Sequence, residues 1–284
     1  MLRSMLVGVS LMLLVASAVQ AEGLLDSVKA GEPVRVGFAE QEPFIVSGPN
    51  DQLIGYEADL LKAVLAKFSK SELKGVPTQF GALIPGLQAK RFDVIASDLY
   101  IRPDRCKLVA FAEPTHIVND GIVVPAGNPK GIHSYTDIAK DPTLKVGYLT
   151  GGGPIADHAL ASGVKPEQLV TLPDVASLFA AVKTGRIDVF LNTAVTVAAT
   201  LKTANDPALE RALPFAQAVI DGKPAVGVGS FAFRREDQDF VDAFNKHLVE
   251  LLRSGEAARI AQPYGFTAED IPNGDLKLNS LCAG

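Results

Sequence analysis

The chain of 284 residues has no tryptophan, only two cysteines and three methionines, and four histidines. His116, His133, His158 and His247 stand at no metal-ligand spacing from one another or from a cysteine, so a metal centre is not expected. No serine–histidine–aspartate or cysteine–histidine set is visible, and catalysis by an activated nucleophile is not expected. An excess of positive charge is also lacking. Twenty-seven basic residues against 32 acidic ones give a net charge of −5, which argues against nucleic acid or an anionic membrane as partner. No segment has low complexity, and no internal repeat stands out. The one glycine-rich turn, Gly151-Gly152-Gly153, is not followed by Lys-Ser/Thr and is a weak phosphate signal.

What is present begins at the N-terminus. Met1-Leu2-Arg3 is a short basic start, Leu6–Val15 an apolar run, and Val19-Gln20-Ala21 places small residues where a signal peptidase reads. The run is shorter than the ~20 residues that cross a bilayer. Residues 1–21 are therefore read as a secretory signal peptide, cut after Ala21. The mature chain is expected to be soluble and periplasmic. In an oxidising compartment the pair Cys106 and Cys282 suggests one disulfide, tying the C-terminal tail to the first third of the chain.

Strand and helix patterns alternate. Pro33–Phe38 reads as a buried strand, Tyr56–Phe68 as an amphipathic helix, Ala82–Ala89 as a short helix and Phe92–Ala96 as a strand. A second series runs from the strand Leu144–Leu149 through the glycine turn into the helix Ile155–Ala161. The strand Leu169–Leu172, the helix Val175–Lys183 and the strand Ile187–Leu191 follow. Two β-α-β series imply two mainly parallel sheets flanked by helices. Extended segments at Gly121–Gly127 and Ala225–Phe233 read as crossings between them, and the helix Asp237–Arg253 follows the second. The expected fold is α/β with two lobes joined by two hinge strands. Lobe 1 is assigned residues 22–124 and 225–284, and lobe 2 residues 125–224. Ligands bind such sheets outside the carboxyl ends of their strands, here in the cleft.

Several motifs carry a resemblance. Gly81-Ala82-Leu83-Ile84-Pro85-Gly86-Leu87, Arg91-Phe92-Asp93-Val94-Ile95-Ala96, Arg102-Pro103-Asp104-Arg105 and Gly185-Arg186-Ile187-Asp188 stand in this order. Together they resemble the solute-binding proteins of polar amino-acid ABC transporters, over essentially the whole mature chain. The Phe80–Leu87 run, Arg105-Cys106 and the C-terminal Leu281-Cys282 are most similar to the ectoine/hydroxyectoine-binding group. The resemblance implies a monomeric receptor, without cofactor or catalysis, that hands a small zwitterion to a membrane permease.

It also implies a site. Arg105 matches the arginine that holds the ligand's carboxylate, as a guanidinium fork suits. Phe44, Phe80 and Tyr100, each at or after a strand end, match aromatics that box a delocalised cation. Thr193 stands where the family usually has an aspartate that pairs with an α-ammonium, which disfavours ordinary α-amino acids unless Asp98, Glu40 or Glu42 substitutes. Gln41 stands where the ectoine-binding group carries an acid. Gly151-Gly152-Gly153 replaces a Gly-Thr-Thr type turn, so that at Gly152 and Gly153 only backbone N–H groups at the helix start are left to meet a carboxylate. Ectoine or hydroxyectoine is the first expectation, and a polar amino acid or opine the second. A dehydratase-type enzyme on the same fold is the alternative of another class, with Asp98, Glu40 or Glu42 as its acid or base. A receptor's sensor domain is disfavoured because no membrane-spanning or signalling pattern follows lobe 2.

Overall fold

The computed structural model describes residues 23–283. The signal peptide and its cleavage point lie outside the described residues. Two five-stranded sheets organise the chain. The first runs in the order Leu73–Pro77, Val34–Phe38, Val94–Ile95, Ala232–Phe233, Ala110–Phe111. Its first three strands are parallel, and Ala232–Phe233 inserts antiparallel to both neighbours. The second runs Leu169–Leu172, Val146–Leu149, Val189–Thr193, Asp120–Pro125, Leu209–Arg211, with Asp120–Pro125 antiparallel to both neighbours. The mixed α/β architecture matches the expected fold class.

The sequence explains these strands. Val34–Phe38 buries four of its five residues, the mark of a strand covered on both faces. Two aspartates of the short motifs anchor strand starts. Asp93 accepts from the Arg35 backbone and side chain and lies 3.3 Å from Arg234, which also donates to the Phe92 carbonyl. Asp188 does the same in the second sheet, accepting from Lys145 N and Lys130 Nζ. The helix Gln238–Arg253 buries Phe240, Val241, Phe244, Leu248, Leu251 and Leu252 on one stripe. Phe240 and Phe244 pack edge-on against Phe233, 5.4 and 5.2 Å between ring centroids. Each such ring contributes roughly 1.5–3 kcal/mol by leaving water, which fixes the return segment to the first sheet.

One boundary is corrected. Gly121–Gly127 was expected to be a crossing, with lobe 1 extending to residue 124. Asp120–Pro125 is instead an interior strand of the second sheet, and its run Gly121-Ile122-Val123-Val124 is buried throughout. The run is apolar because both faces are covered. The link between the units lies earlier, where His116–Val118 pairs antiparallel with Gly227–Gly229.

Cys106 and Cys282 are joined, with Cα atoms 5.8 Å apart. The bridge ties the short helix Leu278–Cys282 to the helix Pro103–Cys106, directly beside Arg105. Among the described residues, no helix is long and apolar enough to cross a membrane, and no cluster of three or more metal-binding side chains occurs.

Candidate functional site

A cavity of about 40 Å³ lies where the two sheets face each other. The first unit supplies Gln41, Phe80, Asp98, Tyr100 and Arg105, and the second supplies Leu149, Gly152, Pro154, Ile155, Leu191, Asn192 and Thr193. These residues stand at strand ends or in the segments just after them, as expected for open α/β sheets. The volume is about three times what one water needs, so the units are drawn together.

Arg105 sits on the four-residue helix Pro103–Cys106, with Pro103 at its start, and is 8% exposed. Its Nη1 donates to the Tyr100 carbonyl at 3.0 Å, and its Nη2 to the Gly151 carbonyl of the opposite unit at 2.8 Å. The guanidinium lies 5.9 Å from the Phe80 ring centroid. Burial, with help from Arg102, brings its pKa down to about 10, so it stays charged at neutral pH. The result is a dry, fixed cation at the joint between the units. The two units touch directly at several points. Arg102 pairs with Asp157, Thr203 donates to Glu42 at 2.6 Å, and Gly151 approaches Gly81. A Cβ on Gly151 would come within 2.8 Å of the Gly81 Cα, and Gly151 has φ +86°. The glycine turn thus permits close approach of two backbones and a left-handed conformation.

The cavity floor is a buried polar cluster. Asp98 accepts from Gln41 Nε2 at 3.0 Å, and its other oxygen lies 2.8 Å from His116 Nε2. The Asp98 backbone N–H donates to Glu57 at 2.9 Å. Burial raises the Asp98 carboxyl well above the usual range and Glu57 to about 7, and lowers His116 to about 4. Glu57 holds its proton more tightly folded than unfolded, so its contribution to stability is lost as pH rises from about 4.5 to about 7. His116 does the opposite between about 4 and 6.5, and the two slopes oppose each other. Glu57→Gln should remove the falling slope. The variant is expected to match the parent near pH 4 and exceed it by ~1–3 kcal/mol at pH 8. Urea denaturation at both pH values checks this; equal stability at pH 8 would disprove it.

The structure places the expected residues as follows. Arg105, Phe80, Tyr100, Gln41, Asp98, Gly152 and Thr193 come together around the cavity. Phe44 does not, and its assignment to the cage is corrected. The turn that carries Phe44 N–H to the Gln41 carbonyl folds the ring beneath the loop. There it is fully buried, 4.9 Å from the His116 ring and 5.3 Å from Phe266. Gly153 begins the helix Gly153–Ala161 but does not line the cavity; Gly152 and Pro154 flank it there. Thr193 lines the wall with its hydroxyl committed as a helix cap, accepting from Thr196 N at 3.2 Å. Glu40 bonds Ser47, and Glu42 bonds Thr203, outside the cavity. Of the three candidate acids, Asp98 alone reaches it. Glu57 and His116 gave no sequence signal, because a lone acid in a helix and a lone histidine in an apolar run are ordinary.

Residues 34–267 match the family model described as bacterial extracellular solute-binding proteins, family 3. A probable amino-acid ABC transporter periplasmic-binding protein of Sinorhizobium fredii is 35% identical over 280 residues, 98% of this chain and 92% of the relative. The crystal structure of EhuB in complex with hydroxyectoine is similar at 32% identity and a TM-score of 0.80, covering 92% of this chain and 98% of that one. An ancestral amino acid-binding protein, AncCDT-1, described as a precursor of cyclohexadienyl dehydratase, is similar at 25% identity and a TM-score of 0.70, covering 84% and 98%. The chain therefore belongs to the bacterial extracellular solute-binding proteins, family 3.

Proposed function

We propose that this protein is the periplasmic binding component of an amino-acid-type ABC importer. It captures a small zwitterion between its units and delivers it to the membrane permease. The observation that carries the reading is Arg105, a buried, charged fork at the joint, with Phe80 and Tyr100 beside it in the same cavity. The two units act as lobes that open and close about the paired strands His116–Val118 and Gly227–Gly229. Because Arg105 also holds the Gly151 carbonyl, a carboxylate arriving on it couples binding to closure.

Ectoine or hydroxyectoine is the leading ligand. The similarity to EhuB supports it, as do two aromatic rings at the cavity. Polar amino acids or opines are the second reading, favoured by Phe44, which packs away from the cavity and leaves the cage one ring short. The enzyme reading loses ground here, since both Asp98 oxygens are engaged by Gln41 and His116. Native mass spectrometry of protein purified without refolding, followed by calorimetry with ectoine, hydroxyectoine, arginine and glutamine, tests the assignment. Tyr100→Leu keeps apolar area and loses the ring's quadrupole. It should cost ectoine about 1 kcal/mol, near fivefold in affinity. Tight binding of arginine with none of ectoine would defeat the ectoine reading.

A further inference from the structure

The strand register places an acid beside the cavity that none of the sequence motifs singles out. In the second sheet Asp120 is the direct antiparallel partner of Thr193. Partners so placed show their side chains on one face; Thr193 lines the cavity, and Asp120 stands beside it without itself being one of the lining residues. Asp120 is 1% exposed. Its Oδ2 accepts from the Tyr135 hydroxyl at 2.6 Å and lies 2.7 Å from His158 Nδ1. Gln217 clamps its backbone on both sides, accepting from the N–H at 2.8 Å and donating to the carbonyl at 2.9 Å. Its Oδ1 is buried and has no hydrogen-bond partner among the described residues. The Tyr100 hydroxyl and Asn192 Nδ2, both on cavity-lining residues, are also buried and unpaired. The charge of Asp120 is felt across the cleft, where it adds to burial in raising Tyr100 and Asp98.

We propose that Asp120 Oδ1 accepts an N–H of the ligand's cation, so that the site selects zwitterions with a donor-bearing cation, an ammonium or an amidinium, over fully alkylated ones. The inference rests on the carboxylate end lying on Arg105. An unpaired buried carboxylate oxygen is costly, and a ligand N–H removes that cost. A quaternary ammonium has no N–H and leaves it. Asp98 is less suited, because each of its oxygens already has a partner, Gln41 or His116, whereas Asp120 Oδ1 has none among the described residues.

Calorimetry with ectoine, arginine and glycine betaine tests this on the parent, Asp120→Asn, Asp120→Asn/Thr193→Asp and Arg105→Ala proteins. The parent should prefer ectoine or arginine to glycine betaine. Asp120→Asn should weaken the preferred probe about thirtyfold or more. Restoring a carboxylate across the strand pair with Thr193→Asp should recover at least about tenfold, which a merely structural role would not do. Three results overturn the proposal: Asp120→Asn binding within threefold of the parent, a loss that Thr193→Asp does not recover, or a parent preference for glycine betaine. If Arg105→Ala abolishes binding while Asp120→Asn does not, the binding reading stands and Asp120 alone is rejected. A parent that binds none of the three probes overturns both.

Discussion

Arg105→Ala is expected to weaken ligand binding a hundredfold or more, the largest single effect at the cavity. The side chain is 8% exposed and bonded to carbonyls on both sides of the joint. Its removal leaves a ligand carboxylate in a dry place without its charge-assisted partner. That costs several kcal/mol, against the ~1 kcal/mol of a neutral hydrogen bond. The same variant frees Gly151 from its cross-joint bond, so closure should weaken together with affinity. Arg105→Lys keeps the charge and loses the fork. It should fall between the two, since a point charge cannot hold a carboxylate and a backbone carbonyl in fixed geometry. Calorimetry gives the affinities, and small-angle scattering with and without ligand gives closure. Binding by Arg105→Ala within threefold of the parent would remove the carboxylate from this residue.

Replacing both Cys106 and Cys282 with alanine should lower stability by ~2–4 kcal/mol, or Tm by roughly 5–12 °C. The bridge closes a loop with a sequence separation of 176 residues, and long loops gain most from closure in the chain-entropy account. It also holds the helix Leu278–Cys282 against the helix that carries Arg105. A loosened tail should therefore weaken ligand binding somewhat, far less than Arg105→Ala does. Calorimetric unfolding of the oxidised parent and the double variant measures the first effect. A Tm change under 2 °C would show that the tail is held by its packing alone.

Much of the fold could be read from local pattern. Val34–Phe38 and Val189–Thr193 are short segments rich in Val, Phe and Leu, and Gln238–Arg253 carries its buried residues at helical spacing. Such signals are local, because burial on two faces or on one stripe constrains neighbours in the chain. Position in the cavity could be read where a residue follows a strand end on a stiff turn. Pro103 sets Arg105 that way, and Phe80 and Tyr100 stand at similar places. The Cys106–Cys282 pairing needed only the count and the compartment.

Phe44 and Asp120 show where this reading stops. Both stand beside extended segments, and the local pattern treats them alike. Phe44 is withdrawn because a turn buries it on His116 and Phe266, residues far along the chain. Asp120 comes to stand opposite Thr193 because its strand runs antiparallel beside Val189–Thr193, a pairing over some seventy residues of sequence that the apolar run Gly121–Val124 leaves open. By itself the sequence determined the α/β class, the family motifs, the arginine at the strand end and the disulfide, each set by short-range periodicity, turn chemistry or composition. Only the tertiary structure decided strand order, which paired strands link the two units and which of the candidate acids reaches the cavity. Those depend on which distant segments exclude water together, and no local spacing encodes that choice.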